Sequence, residues 1–182
     1  QRQMCIRDRK YTILRPARLG QKKTPANYAE IRDFLLSNIE KADAAVLSID
    51  TLLYGGLIPS RLHTLGEDEA LERLMLLKTL REKNPSVKLY AFHCIMRCPT
   101  YSSDDEEPDY YADYGAEIHQ LGRLTHLEKL GMGDAQDCVA MREKIDADAL
   151  ADYLNRRAFN RRMNIRTLDL VEDGTIDFLI IP

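Results

Sequence analysis

Short apolar runs alternate with longer amphipathic segments along this chain. Residues 44–49 and 87–96 are aliphatic runs of the kind that form buried strands. Between them, leucines recur at helical spacing over residues 67–83, with charged residues on the opposite side, which predicts a helix. This strand–helix–strand order favours parallel strands joined by a right-handed crossover.

The remaining pattern predicts four more helices and a third strand. Thr24-Pro25 is typical of a helix start. Helical spacing also covers residues 109–130, 134–144 and 148–170, and a turn at Asp173-Gly174 leads into an apolar run at 176–182. The predicted fold class is α/β: a parallel sheet covered by helices on both faces, with a helical excursion at about 109–170. An open doubly wound sheet and part of a β/α barrel fit this pattern equally well.

Both ends of the chain look unlike natural ends. Met4 to Arg9 reads as the translation of a transposon mosaic end from a sequencing library, so we interpret residues 1–9 as an adaptor scar. A natural basic arm is the alternative. Residues 10–182 are then expected to form the N-terminal part of one larger α/β domain, truncated at both ends.

Composition narrows the class of protein without naming a reaction. The chain has 182 residues, 45% hydrophobic and 30% charged, with a net charge of −3, which suits one globular domain. We expect no membrane span and no nucleic-acid partner, because the apolar runs are short and the charge is slightly negative. A cytoplasmic location is favoured, and the oligomeric state is left open.

Polar residues follow each of the first two predicted strands. The carboxyl ends of parallel strands meet at one edge of a sheet, where α/β proteins bind their ligands. We therefore predict a site at this edge that takes a small-molecule substrate. Its predicted catalytic residues are Asp50, Arg97, Asp104 and Asp105, and its predicted substrate-binding residues are Tyr54, Gly55, Gly56, Arg61 and Tyr101.

Each of these residues also has a purely structural interpretation. Asp50 could cap the following turn, and the glycine pair could merely supply positive φ angles. The acids between residues 98 and 122 could form a solvated loop and cap a helix, or could hold a divalent metal. We do not favour the metal, and no other cofactor is predicted, since the chain lacks phosphate-binding fingerprints.

Five arginines lie close together in the last predicted helix: Arg156, Arg157, Arg161, Arg162 and Arg166. On a helical wheel most of them point outward. Arg161 instead falls within an apolar stripe formed by Leu150, Leu154, Ala158, Ile165 and Leu168. A buried arginine needs a carboxylate or carbonyl partner. We therefore predict that Arg161 anchors this helix to the acidic loop, with the clamping of an anionic substrate as the alternative.

Four motifs together resemble a known bacterial family, domain of unknown function 4127. They are LGQKKTP at 19–25, SIDTLLYGGLIPSR at 48–61, IMR at 95–97 leading into PTYSSDDEEPDYY at 99–111, and GTIDFLIIP at 174–182. The resemblance covers residues 12–182 and implies a longer protein than this chain. It implies no chemistry.

Two classes of function remain open. The first is a hydrolase-type enzyme acting on a small polar or sugar-like substrate at the carboxyl edge of the sheet. The alternative is a non-catalytic α/β module that binds a ligand there, or one in which the same polar groups serve only as caps and turns.

Overall fold

The computed structural model describes residues 12–182. The interpretation of residues 1–9 therefore lies outside the described residues. The chain forms six helices and three strands in this part. In order, they are α1 (Tyr28–Asn38), β1 (Ala44–Ser48), α2 (Ile49–Tyr54), α3 (Glu67–Lys83), β2 (Lys88–Phe92), α4 (Tyr111–Lys129), α5 (Ala135–Arg142), α6 (Ala147–Glu172) and β3 (Phe178–Ile180), with short 3-10 turns at Ile39–Lys41 and Pro59–Arg61.

The three strands form one parallel sheet in the order β1-β2-β3. Leu47 of β1 pairs with Ala91 of β2, which pairs with Leu179 of β3. These side chains lie on one face, against leucines of α3 and the apolar residues Met163 and Leu170 of α6. The α/β class with a parallel sheet and covering helices is therefore confirmed.

A second, smaller core lies within the predicted helical excursion. Tyr111 and Ile118 of α4 pack with Cys138 of α5 and with Leu150 and Tyr153 of α6. The 26 residues of α6 span about 39 Å, so its first half joins this core and its second half covers the sheet. The excursion is thus tied to the sheet by one continuous helix.

Only one face of the sheet is covered by residues 12–182. The other face, here called the open sheet face, carries Val46, Tyr90, Phe92, Phe178 and Ile180, all exposed. Val46 is 74% exposed. Strands that follow one another across the sheet, each joined by a right-handed crossover, place their helices on the same side. The expected cover on both faces is therefore not provided by this part of the chain.

Helix α6 also differs from its predicted orientation. Its inner side carries Asn160, Met163, Asn164 and Thr167, all buried. Apart from Leu150, which is buried, the residues of the predicted apolar stripe face outward. Arg161 is exposed among them. The prediction of a buried Arg161 is wrong, because α6 buries a polar side that bonds to the loops of the site. We call Leu154, Ala158, Arg161, Ile165 and Leu168 the α6 outer stripe.

The start of α1 differs from the prediction. Helix α1 begins after Asn27, whose side chain accepts a hydrogen bond from the Glu30 backbone N–H. Thr24 instead closes a tight turn with Gln21 through two backbone hydrogen bonds of 2.9 Å.

Within residues 12–182, no helix combines the length and the apolarity that crossing a membrane requires.

Gly55 ends α2 and brings two backbone segments together. Its φ angle of 86° is left-handed, and its carbonyl accepts a hydrogen bond of 2.9 Å from the Ala26 N–H. An added Cβ would lie 2.5 Å from Pro25 Cβ and 2.8 Å from Ala26 N. The close approach made by Gly55 is therefore to the chain itself.

We expect Gly55→Ala to be clearly more destabilising than Gly174→Ala. Both glycines have positive φ angles, 86° and 78°, but a Cβ at Gly174 would meet nothing within 4 Å. Strain in φ alone costs about 1 kcal/mol, and Gly55→Ala adds a steric clash. Chemical denaturation of the two variants measures the difference, and equal losses would contradict the close-packing role of Gly55.

Candidate functional site

Asp50 lies at the start of α2, directly after β1. The cap of this helix is Ser48, whose hydroxyl accepts a hydrogen bond of 3.1 Å from the Thr51 N–H. The Asp50 carboxylate instead reaches across the sheet edge and accepts a hydrogen bond of 2.9 Å from the Cys94 N–H. It therefore does not cap the turn but joins the segment after β1 to the end of β2.

Burial dominates the electrostatics of Asp50. Its side chain is almost fully buried, and this raises the pKa of the carboxyl group, although the Cys94 N–H and the charge of Arg61 oppose the shift. A carboxyl group with a raised pKa is suited to hold a proton. Asp50 is only 2% exposed, however, so it touches no ligand in this conformation.

Arg61 and Arg97 converge on one buried carboxylate, that of Glu107. Arg61 Nη1 lies 2.8 Å from Glu107 Oε1, and Arg97 Nε lies 3.1 Å from the same oxygen. Glu107 is 1% exposed and Arg61 is 4% exposed. The predicted site residues Arg61 and Arg97, which follow different strands, are thus brought together. We call Arg61, Arg97, Glu106 and Glu107 the arginine–glutamate cluster.

The cluster is exposed at one end. Arg97 Nη2 bonds to Glu106 Oε2 at 2.8 Å and to the Tyr101 hydroxyl at 2.7 Å. The Arg97 guanidinium lies 5.8 Å from the centre of the Tyr101 ring. Arg97 and Glu106 are each a little under half exposed, and Tyr101 is exposed. This end therefore offers a flat apolar ring beside fixed hydrogen-bonding groups.

Helix α6 holds the loops of the site through its polar inner side. Arg156 donates to the Arg61 carbonyl at 2.6 Å, and Arg157 donates to the Met96 carbonyl at 2.6 Å. Farther along, Asn160 donates to the Ser60 carbonyl at 2.8 Å and Asn164 to the Cys94 carbonyl at 3.3 Å. The expectation that most of these arginines point outward holds for Arg162 and Arg166, which are exposed. It does not hold for Arg156 and Arg157, which fix the backbone beside the cluster.

His93, at the end of β2, is fixed by the same helix. His93 Nδ1 lies 2.9 Å from the Thr167 hydroxyl, which also lies 2.9 Å from the Met163 carbonyl one turn earlier in α6. Complete burial lowers the pKa of His93 to about 4, and the ring is neutral at pH 7.

The remaining predicted site residues lie apart from the cluster. Asp104 is 4.0 Å from the Lys23 ammonium, and Asp105 is exposed. Within residues 12–182, neither carboxylate contacts Arg61 or Arg97. Tyr54 is buried, and its ring stacks on His63 with centroids 4.5 Å apart. Gly55 contacts Pro25 and Ala26, as described above, and Gly56 has a φ angle of 152°. Their predicted roles with a substrate stay predictions.

Tyr54 and His63 line a shallow cavity of about 400 Å³ together with Tyr28, Glu69 and Arg73. Burial lowers the pKa of His63, whose Nδ1 accepts from the Leu65 N–H while Nε2 bonds to Asn160 at 2.9 Å. This cavity is separate from the exposed end of the cluster.

Among the described residues, no group of three or more histidine, cysteine or acidic side chains is arranged so that it could hold a metal ion.

The sequence reasoning missed the central residues of the cluster. Glu106 and Glu107 are part of the acidic loop, but nothing in the linear order distinguishes them from the neighbouring Asp104 and Asp105. Their place, nine and ten residues after Arg97, is compatible with a loop that folds back but does not single them out. The partner role of Arg61, 46 residues before Glu107, has no local signal at all.

Fold and site together define a parallel α/β domain with a polar cluster at the carboxyl edge of its sheet. A comparison with protein families matches residues 2–182 to the family described as "protein of unknown function (DUF4127)", so the chain belongs to that family. Searches of curated proteins and of solved structures find no match. The resemblance expected from the four motifs is thereby confirmed.

We expect Asp50→Asn to keep or raise the stability of the protein at pH 7. An amide oxygen can still accept from the Cys94 N–H, and the cost of burying a charge is removed. The raised pKa means that the folded state holds a proton more tightly than the unfolded state. The contribution of Asp50 to the free energy of unfolding is therefore complete below about pH 3.8, the pKa of this group in the unfolded state. It falls as the pH rises through the pKa of the folded state.

The comparison variant for this prediction is Asp50→Ala, which leaves the Cys94 N–H without its partner. We expect it to lose about 1–3 kcal/mol. Chemical denaturation at several pH values measures both variants. A loss for Asp50→Asn as large as that for Asp50→Ala would show that the charge itself holds the fold.

We expect stability to fall as the pH drops from 6.5 to about 4, in part because of His93. The unfolded state binds a proton in this range and folded His93 does not, so the stability present above pH 6.5 is lost toward lower pH. The contribution is up to about 3 kcal/mol. His93→Asn keeps a hydrogen-bonding group beside Thr167 and should flatten the curve. Identical pH profiles of the denaturation midpoint would contradict this origin.

Proposed function

We propose that this chain binds a small polar, sugar-like ligand at the carboxyl edge of its sheet, as part of a hydrolase-type enzyme. The observation that supports it best is the exposed end of the arginine–glutamate cluster, where Arg97, Tyr101 and Glu106 stand together. Ligand sites in α/β proteins lie at this edge, and a few fixed polar groups orient the ligand there.

The chemistry of these three side chains suits a hydroxyl-bearing ring. One side of the Tyr101 ring can pack against the apolar face of such a ligand, since aromatic side chains combine apolar area with a polar tip. Arg97 supplies N–H donors and Glu106 supplies carboxylate acceptors. Arg97 Nη2 donates to Glu107 Oε1 at 3.0 Å, so the guanidinium is oriented before any ligand binds.

Hydrolysis needs a group that can take or give a proton beside the substrate. Glu106 is the exposed carboxylate of the cluster, and it takes the proton-accepting role in this proposal. Asp50 has the raised pKa that suits a proton donor, but α2 must move before a substrate can reach it. The catalytic roles of Asp50 and Arg97 rest on this proposal.

A non-catalytic binding module is the second candidate. It is favoured by the pairing of both cluster carboxylates with arginine: Glu106 Oε2 lies 3.3 Å from Arg61 Nη1 and 2.8 Å from Arg97 Nη2. An oxygen that already accepts from two guanidinium groups has little hydrogen-bonding capacity left for a substrate hydroxyl. Turnover of a chromogenic substrate, as opposed to binding alone, separates the two candidates.

We expect glucose or N-acetylglucosamine, used as probes, to give saturation-transfer NMR signals with the protein. Arg97→Gln should weaken binding at least about tenfold, because hydrogen bonds from a charged donor contribute about 1.5–3 kcal/mol. Tyr101→Ala should weaken it as well, and Tyr101 is exposed enough for the fold to tolerate the change. p-Nitrophenyl glycosides and esters test for hydrolysis.

Arg162→Gln is the matched control. Arg162 is also about half exposed, pairs with Glu67 at 3.1 Å and lies 5.7 Å from the centre of the Phe159 ring. It therefore shares the exposure, the carboxylate pairing and the nearby aromatic ring of Arg97 but contacts neither the cluster nor a buried carboxylate. Circular dichroism and chemical denaturation of both variants check that Arg97→Gln is still folded after Glu107 has lost one partner. Equal effects of Arg97→Gln and Arg162→Gln, or no signal from any probe, would contradict the proposed site.

A further inference from the structure

The loop that carries Tyr101 lies directly against helix α4 at Gly115. Gly115 is buried, and a Cβ built on it would lie 2.5 Å from the Tyr101 carbonyl oxygen and 3.1 Å from Ser102 Cα. The first of these distances is shorter than any real contact between a side-chain carbon and a backbone atom. The backbone of Gly115 is ordinary α-helix, so it is the lack of space, and not the conformation, that excludes a side chain here.

Two hydrogen bonds hold the same segment at either end. The Ala116 N–H donates to the Ser102 hydroxyl at 3.1 Å, which ties the backbone beside Tyr101 to α4. At the other end of the Tyr101 side chain, Arg97 Nη2 donates to the phenol oxygen at 2.7 Å. Tyr101 is therefore held between α4 and the arginine–glutamate cluster, although it is 46% exposed.

We propose that Gly115, together with Ser102, positions Tyr101 for the ligand at the exposed end of the cluster. Neither residue touches the ligand in this proposal, and both act through the place that they give to the Tyr101 ring. The inference rests on the proposed function and deepens it, because it makes α4 and the second core a support of the ligand site.

A side chain at position 115 would displace the loop and not the helix. Helix α4 is anchored in the second core by Tyr111 and Ile118, both buried, whereas Tyr101 and Ser102 are exposed. An exposed loop segment has fewer contacts to lose than a helix whose apolar side is buried. The added Cβ would also lie 2.7 Å from the Tyr111 ring, one turn earlier in α4, so the fold of any variant at this position has to be checked.

The displacement is large on the scale of a binding site. The Tyr101 carbonyl would have to move by about 0.9 Å, from 2.5 Å to an ordinary contact distance of 3.4 Å. A shift of this size along the side chain lengthens the 2.7 Å hydrogen bond to Arg97 beyond hydrogen-bonding range. Groups that bind a ligand have to be held within about 0.5 Å of their working position. Gly115→Ala should therefore weaken binding although the ring and the guanidinium are both still present.

The test compares Gly115→Ala with Gly122→Ala, a matched control in the same helix. Gly122 is exposed, and a Cβ there would meet nothing within 4 Å. Alanine favours a helix over glycine, so Gly122→Ala should raise the denaturation midpoint and bind glucose or N-acetylglucosamine like the wild type. In saturation-transfer NMR titrations with the same probes, Gly115→Ala should lose about as much affinity as Tyr101→Ala.

The double variant Gly115→Ala/Tyr101→Ala separates positioning from a general packing role. If Gly115 acts through Tyr101, the double variant should bind the probes no more weakly than Tyr101→Ala alone, because coupled residues are not additive. Additive losses of affinity, or wild-type affinity in Gly115→Ala, would overturn the proposal.

The NMR signal of the Arg97 Nε–H provides a second readout that needs no ligand. This group donates to Glu107, and the guanidinium lies 5.8 Å from the centre of the Tyr101 ring, whose ring current shifts the signal. Tyr101→Ala and Gly115→Ala should both move the signal, and Gly122→Ala should leave it in place. An unmoved signal in Gly115→Ala contradicts the positioning role.

The two readouts distinguish failure of this inference from failure of the proposed function. If the wild type binds no probe, the proposed function is wrong, and the Arg97 signal still decides whether Gly115 positions Tyr101. Circular dichroism and chemical denaturation show whether Gly115→Ala is folded. If it is not, Ser102→Ala replaces it, since this change removes the second tie to α4 without a steric clash. The same signal should then move, and its staying in place would overturn the proposal.

Discussion

The Glu107 carboxylate, held between two guanidinium groups, is the contact that joins the parts of this molecule. Arg61 belongs to the segment after β1, Arg97 to the segment after β2, and Glu107 to the loop that leads into α4. A buried ion pair of this kind adds little net stability over apolar packing, but losing one partner costs about 3–5 kcal/mol. The cluster therefore fixes the arrangement of the three loops more than it raises the free energy of unfolding.

Helix α6 makes this arrangement possible at the cost of its own amphipathic pattern. Its inner side has to satisfy carbonyl groups at the ends of two strand segments, at Ser60, Arg61, Cys94 and Met96. Buried carbonyls need donors, so asparagine and arginine occupy positions where a covering helix usually carries leucine. The apolar residues of the helix are left on the outside, which is why a helical wheel assigns the wrong side to the core.

Local patterns in the sequence predicted the elements well and the site only in part. The bounds of α3 agree at both ends, because its leucine repeat is followed by Asn84-Pro85, and the three strands lie within the predicted runs. The start of α1 was misplaced because Asn27 is a better cap than Thr24 in this backbone. The role of Ser48 could have been found, since a serine before an apolar run that ends in Gly55-Gly56 is typical of a short capped helix.

The site was predicted where it depends on topology and missed where it depends on long-range pairing. That Arg61, Arg97 and Tyr101 lie at one edge follows from parallel strands alone. Which acidic residue of the loop turns inward depends on the conformation of the loop. In the structure it is Glu107, and not Asp104 or Asp105. Sequence spacing carries no information on that choice, because all of these residues lie within one short polar segment.

The two apolar surfaces and the cluster lie on different sides of the same sheet. The cluster lies at the carboxyl ends of the strands, whereas the open sheet face and the α6 outer stripe lie above and below the plane of the sheet. The residues of the two surfaces and those of the cluster do not overlap. Substitutions on either surface therefore leave the edge with Arg97, Tyr101 and Glu106 unchanged.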